Sequence, residues 1–289
     1  MAWTMTGDVA EYLAAAGGFL RSRAAENTVQ LGATETIRIR GAAAFGDEAP
    51  LFGWWAAAGG PVTAAFMHTP PFGVTLTPSP AGVAAALAET FAGRGRFPAW
   101  VMADTTTAPS FAAAWERHTG QPARVVRRSR LFRLGRLLPP DPAPPGRARV
   151  AGAADSGLLL AWLEAFHREA NDYGGPDMQR TLADRLTYGG LTLWETADGP
   201  VSMAGLTRAV AGQARVGPVY TPPELRGRGF GGAVTAAVSQ AAKDAGVAEV
   251  LLYTDLANPT SNALYPRLGY EPVSDSVQLL FLPVPVRKP

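Results

Sequence analysis

The sequence predicts an α/β (α+β) protein built as two tandem units, and three observations carry that expectation. Residues 216–232 read as an apolar strand ending at Tyr220, a Pro-Pro turn, a glycine-spaced basic loop and the start of a helix. Strands and helices alternate on both sides of residues 139–146, where five of eight residues are proline. The two halves also repeat each other in sequence, as aligned below.

Taken in order, residues 9–25 are a predicted helix with Tyr12, Leu13, Ala16, Phe19 and Leu20 on one side. Thr36 to Arg40 alternates apolar and polar residues and reads as a short strand. Residues 51–57 and 62–67 flank Gly59-Gly60 as a hairpin, and residues 72–77 form a further strand. A helix over 82–91, a strand over 99–102, a helix over 111–118 ended by Gly120, and a basic strand over 124–134 follow. Prolines 139, 140, 142, 144 and 145 cannot build a core element, so 139–146 reads as a linker between a first domain, 1–138, and a second, 147–289.

The second domain opens with a strand near 147–151, then helices over 156–173 and 176–188. Strands at 191–196 and 201–208 flank Asp198-Gly199, a strong hairpin signal. After the glycine loop, a helix with Val234, Ala237, Val238, Ala241 and Ala245 on one face runs to Gly246. A strand over 247–253, a short helix over 258–269 and a last strand over 277–282 complete it.

Composition bounds what such a protein does. At 289 residues with 47% apolar content, the chain supports two domains with real cores. A net charge of +2 implies no strong field toward nucleic acid. With no cysteine there is no disulfide, thiolate metal site or cysteine nucleophile, and the three histidines, 68, 118 and 167, lack metal-ligand spacing. No apolar run is long enough to cross a membrane, and the first residues lack a basic n-region, so the expectation is a cytoplasmic protein, monomeric or homodimeric.

The strand–loop–helix unit of 216–232 turns free N–H groups and a helix N-terminus toward whatever occupies the loop, and a phosphate or diphosphate suits it. No Gly-Lys-Ser/Thr is present, which excludes a Walker loop, and Gly227, Gly229, Gly231 and Gly232 read as departing from the G-x-G-x-x-G spacing of dinucleotide folds. Arg226-x-x-Gly229-x-Gly231, after Val219-Tyr220-Thr221-Pro222, resembles the acyl-CoA loop of the GNAT family of N-acetyltransferases. A second stretch, from Asn258 through Tyr265 to Gly269-Tyr270, resembles that family's asparagine-led short helix ending in Tyr-x-x-x-Gly-aromatic.

The resemblance implies two GNAT-like units, each a twisted mixed, mostly antiparallel sheet flanked by helices. Residues 55–63 align with 194–202, Leu76-Thr77-Pro78 with the strand end at Tyr220-Thr221-Pro222, and 114–120 with 263–269. The first unit has Ser79-Pro80-Ala81-Gly82 in place of the basic loop and Glu116 in place of Tyr265, so it reads as degenerate, shaping the acceptor site without chemistry of its own.

The resemblance also implies residue roles. Val219, Tyr220 and Thr221 line the pantetheine arm of acetyl-CoA through main-chain groups. Arg226, Gly227, Arg228, Gly229, Phe230, Gly231 and Gly232 hold its diphosphate, and Asn258, with Asn262 as a second candidate, bonds a neighbouring part of the coenzyme. Tyr265 protonates or hydrogen-bonds the leaving thiolate. The acceptor is an amine, the acetyl group passes directly, and no metal takes part. The general base stays open between Glu195 and Asp255. Glu169 and Asp172 are candidates to line the acceptor pocket, with Trp162, Tyr173, Tyr188 and Trp194 as possible walls. Two rival readings are a non-catalytic acyl-CoA sensor and an RNA-binding surface on the arginines of 124–136.

Overall fold

The computed structural model describes residues 2–170 and 177–283. The chain forms two compact units, Met1–Arg130 with Ser274–Pro289, and Leu131–Val273. Strands β6 (Ala123–Leu134) and β12 (Tyr270–Phe281) are each divided by this boundary. The compact units therefore divide differently from a linear cut at the proline segment, whose residues fall in the second unit.

The first unit contains β1 (Ala2–Thr6), α1 (Val9–Ser22), α2 (Thr28–Arg40), β2 (Leu51–Ala56), β3 (Val62–His68), β4 (Val74–Leu76), α3 (Ala81–Gly93), β5 (Trp100–Asp104) and α4 (Thr107–Thr119). Its strands lie in the order β1-β2-β3-β4-β5, with the Ser276–Leu280 part of β12 antiparallel to β5. All pair antiparallel except β4 and β5, which are parallel and need the α3 crossover between them. The core gathers Phe66, Phe91, Phe111, Trp115 and Phe281 between the sheet and α3 and α4.

Two features here depart from the sequence reading. Thr36 to Arg40 is the end of helix α2, not a strand. Its five-residue alternation is local, whereas Leu31, Thr34 and Ile37 are buried at helical spacing and Ile39 is left exposed. Strand β1, which no turn signal announced, pairs along β2 from Ala2↔Ala56 to Thr6↔Phe52.

His68, at the end of β3, supplies a pH test of this unit. Its imidazole is buried beside Phe91, and its Nδ1 has no partner. Burial, reinforced by the charge of Arg96, pulls its pKa from 6.5 down to about 4. The unfolded chain takes up this proton near pH 6.5 and the folded one only near 4. Stability is thus full above 6.5, falls as pH drops toward 4, and loses nothing more from this group below that. Chemical denaturation across this range should show a loss of about 2–3 kcal/mol. His68→Phe should flatten that segment of the curve, and an unchanged slope would show that another group titrates.

The second unit repeats the element order: β7 (Arg147–Val150), α5 (Ser156–Glu169), α6 (Met178–Thr187), β8 (Leu191–Thr196), β9 (Gly199–Leu206), β10 (Gln213–Tyr220), α7 (Phe230–Asp244), β11 (Glu249–Asp255) and α8 (Pro259–Arg267). Strands run in the order β7-β8-β9-β10-β11, antiparallel through β10 and parallel between β10 and β11. Asp172, Tyr173 and Pro176, singled out in the sequence, lie outside the described residues. The aligned hairpins share a detail: register shifts just after Trp55 in one unit and just after Trp194 in the other. One sheet face packs on α5 and α6 through Leu159, Leu163, Leu182, Leu193 and Tyr220. The other packs on α7 through Val216, Val234, Val238 and Val250.

The predicted face of α7 is only half right. Val234 and Val238 are buried, but Ala241 and Ala245 are exposed. Alanines carry little directional signal, and the face is instead set by Phe230, Ala233, Ala242 and two buried hydroxyls. Ser239 Oγ meets the Tyr270 hydroxyl at 2.7 Å, and the Thr235 and Ser239 hydroxyls donate to carbonyls one turn back at 2.7 and 2.6 Å.

Candidate functional site

The site begins where β10 leaves β11. Their parallel register holds from Gln213↔Glu249 to Val216↔Leu252 and then stops, although β10 continues to Tyr220 and β11 to Asp255. The break coincides with a register shift against β9 between Val216 and Val219, at Gly217-Pro218. Beyond it, the Ser202 hydroxyl donates to the Tyr220 carbonyl at 2.9 Å from the β9 side. Main-chain groups alternate sides along a strand, so the N–H and C=O of Val219 face the open edge that β11 has vacated.

The glycine loop follows directly. A single 3-10 turn, Pro223–Leu225, leads to Gly227 at φ +76° and Gly229 at φ +83°. Gly229 is the N-cap of α7 in a left-handed conformation that a side chain would strain. The first helical bond runs from the Ala233 N–H to the Gly229 carbonyl at 3.0 Å. Among the described residues, the amides of Gly227, Arg228, Gly229, Phe230, Gly231 and Gly232 donate to no protein acceptor. The loop is therefore a row of open donors at the positive end of a 15-residue helix. Rings of the proline segment border it: a Cβ on Gly229 would sit 3.7 Å from Pro144, and one on Gly232 3.5 Å from Pro140.

The two loop arginines hold the loop from outside. Arg226 donates from Nε to the Thr221 carbonyl at 2.9 Å and from Nη2 to Glu169 on α5 at 2.6 Å, while Arg228 reaches back to the Glu224 carbonyl at 3.3 Å. Glu169 also accepts from the Tyr220 hydroxyl at 3.3 Å. Glu169, a sequence candidate for the acceptor wall, is thus a brace for the loop. The buried Ser202, whose hydroxyl lies 2.9 Å from that of Thr221, was missed in the sequence; no motif marks it.

The second motif divides into different tasks. Asn258 caps α8, accepting from the Ser261 N–H at 3.2 Å. Asn262 accepts from Thr254 at 2.6 Å and donates to the carbonyls of Asp255 and Leu256 at 3.0 and 3.1 Å, so its amide locks the β11–α8 turn. Tyr265 is 7% exposed and edge-on to Tyr270. Burial raises its pKa to about 12, and its hydroxyl bonds no protein group among the described residues.

Of the proposed bases, only Asp255 lies on a parted strand, at the end of β11. Glu195 lies on β8, two strands from β10, and pairs with Arg149 at 3.0 Å. Asp255 accepts from the Ala257 N–H at 2.8 Å in the turn before α8. Of the aromatic candidates, Trp162 packs 6.2 Å from the Tyr220 ring, Tyr188 donates to the Leu206 carbonyl at 3.1 Å, and Trp194 donates to the Pro145 carbonyl at 2.9 Å.

In the first unit the corresponding loop is closed. The Ser79 N–H donates to the Thr107 hydroxyl at 2.9 Å, which donates to the Ser79 carbonyl at 3.1 Å, and Glu116 is exposed. Among the arginines of 124–136, Arg130 pairs with Asp275 at 2.7 Å and Arg133 with Glu249 at 2.9 Å. Among the described residues there is no metal-binding cluster, and no helix is long and apolar enough to cross a membrane.

A parted parallel strand pair, feeding an open amide loop at a helix N-terminus, defines a site for an anionic, extended ligand in an α/β sheet. A family model described as FR47-like protein matches residues 200–278. The mycothiol acetyltransferase of Paenarthrobacter aurescens (strain TC1) is 30% identical over 204 residues, covering 65% of this chain and 62% of that protein. That of Salinispora tropica is 32% identical over 200 residues, covering 62% and 65%. The chain thus spans somewhat less than two thirds of these relatives' length. A GCN5-related N-acetyltransferase from Sphaerobacter thermophilus shares the fold over 96% of this chain and 94% of its own at TM-score 0.61 and 20% identity. A tandem GNAT protein from the clavulanic acid biosynthesis pathway does so over 96% and 98% at TM-score 0.54 and 13% identity. The chain is thus similar to acetyltransferases in sequence over part of its length, and shares the GNAT fold over nearly all of it.

Proposed function

We propose that residues 147–289 transfer an acetyl group from acetyl-CoA to a primary amine of a small molecule or peptide, and that residues 1–138 carry out no chemistry. The observation that carries this reading is the row of unpartnered amides from Gly227 to Gly232 beside a strand pair that parts after Val216. A diphosphate suits that row, and a pantetheine arm suits the vacated edge of β10 as an added strand would. Acetyl transfer is also what the name mycothiol acetyltransferase says of the relatives.

In this reading the Val219 N–H stabilises the oxyanion that forms as the amine nitrogen attacks the thioester carbonyl. The amine reacts in its neutral form and gives up a proton to ordered water, since neither Glu195 nor Asp255 stands free at the splay. The C–S bond then breaks. Tyr265, with its pKa near 12, keeps its proton at neutral pH and donates a hydrogen bond to the departing thiolate. The proton released by the amine returns to that thiolate through solvent.

Calorimetry with acetyl-CoA, followed by a panel of primary amines with thiol release as readout, tests this. Binding and amine-dependent release are expected. Tight binding with no amine turned over would make the protein a coenzyme-binding module, and absence of binding would end the reading.

A further inference from the structure

On the face of the second unit's sheet opposite α7, a half-buried arginine stands at the point where the strands part. Arg185, on α6, sends its guanidinium inward and donates from Nη1 to the Gly217 carbonyl at 2.9 Å, at the register shift of β10. Room for it exists only because residue 205 is glycine: a Cβ there would lie 2.1 Å from Arg185 Nη1. That carbonyl is its one protein acceptor among the described residues.

The surrounding groups are engaged elsewhere. Asp184 pairs with Arg208 at 3.1 Å, Arg208 covers the Tyr188 ring at 3.9 Å, and the Tyr188 hydroxyl donates to the Leu206 carbonyl. A second, half-buried guanidinium, Arg215 on β10, adds its charge. Desolvation pulls both arginines' pKa values down; that of Arg215 is raised by Tyr253 and lowered further by the charge of Arg185. Arg185 keeps most of its donors unused by protein acceptors among the described residues, and with a second positive charge near it an anion between sheet and helix would suit them.

We infer that Arg185, aided by the charge of Arg215, forms an anion subsite for the acceptor, so that the amine acetylated here carries a carboxylate or a phosphate ester. The placement fits the transfer geometry. The glycine loop and α7 serve one face of β10, whereas Arg185, Arg215 and the α5–α6 layer occupy the other. An acceptor meeting the acyl group at the splay from that second face would bring its far end onto the guanidinium. A planar fork matches either anion through two parallel hydrogen bonds.

This inference rests on the acetyl-transfer reading and is tested beside it. Glycine and phosphoethanolamine are compared with their neutral counterparts glycinamide and ethanolamine as acceptors. Wild-type protein should favour at least one anionic amine by ten-fold or more in kcat/KM, and Arg185→Met should bring that ratio close to one. Should Arg185→Met fail to fold, Arg185→Lys, which keeps the charge but not the fork, should still lower the ratio several-fold. Equal use of charged and neutral amines by the wild type, or an undiminished ratio in a folded variant, overturns the subsite while leaving acetyl transfer intact. If no amine is turned over, calorimetry of N-acetylglycine against N-acetylglycinamide decides: acid-selective binding lost in Arg185→Met supports the subsite, and lack of selectivity overturns it.

Discussion

Gly231→Asp is expected to make the protein more stable and at the same time unable to bind coenzyme. Position 231 lies in the first turn of α7, with no positive φ, and a Cβ there would only touch the Thr221 hydroxyl at 3.4 Å. A side chain therefore fits. A carboxylate at this point compensates the open amides and the helix dipole, worth about 0.3–1 kcal/mol, and replacing glycine inside a helix adds a few tenths more. Melting temperature should rise by about 2–4 °C. The same carboxylate occupies the donors a diphosphate needs and repels it. Losing two or more charge-assisted hydrogen bonds should weaken acetyl-CoA by about 10²-fold or more. Thermal unfolding and calorimetry on one sample read both effects. A stabilised variant that still binds acetyl-CoA normally would show that the diphosphate sits elsewhere, and a destabilised one would show that the amides are not open.

That opposition explains why this part of the molecule was legible in the sequence. Gly227 and Gly229 hold positive φ and Gly232 is packed against Leu264 and Pro140, so together with Gly231 these glycines stand out against a helix-and-strand background. The expectation that these glycines depart from the dinucleotide spacing does not hold. Gly227-x-Gly229-x-x-Gly232 also fits the spacing of dinucleotide folds, and it is the antiparallel order from β7 through β10 that excludes a doubly wound sheet. The hairpins, the α8 cap at Asn258 and the repeat of element order were readable because turn and cap residues act locally.

What was not readable depends on distant partners. Arg226 and Glu169 are 57 positions apart, and only the fold reveals that the arginine braces the loop. Asn262 looked like a ligand but is saturated by the turn it sits in. Arg185 falls on a helix with a polar composition, and nothing in the chain foretells that its head turns inward beneath Gly205. Buried polar groups are set by tertiary pairing, and periodicity carries no trace of them.

Tyr265→Phe is expected to lower kcat by about 10- to 100-fold while leaving acetyl-CoA affinity within about a factor of three, the signature of an interaction made only as the thiolate departs. The ring packs edge-on against Tyr270 at a centroid distance of 5.9 Å, and phenylalanine preserves that contact. The hydroxyl has no protein partner among the described residues to leave stranded, so the variant should fold with stability within about 1 kcal/mol of wild type. The raised pKa fixes the pH behaviour as well. A phenol titrating near 12 stays protonated through the neutral range, so wild-type kcat should show no loss on the alkaline side below about pH 10 that the variant lacks. Tetrahedral collapse otherwise proceeds with an unassisted thiolate, which is a fair leaving group at neutral pH, and that is why the loss stops short of inactivation. Steady-state kinetics with a saturating amine, run against pH for both proteins, measure this directly. A variant with unaltered kcat would remove Tyr265 from the chemistry and leave it a packing residue between α8 and β12.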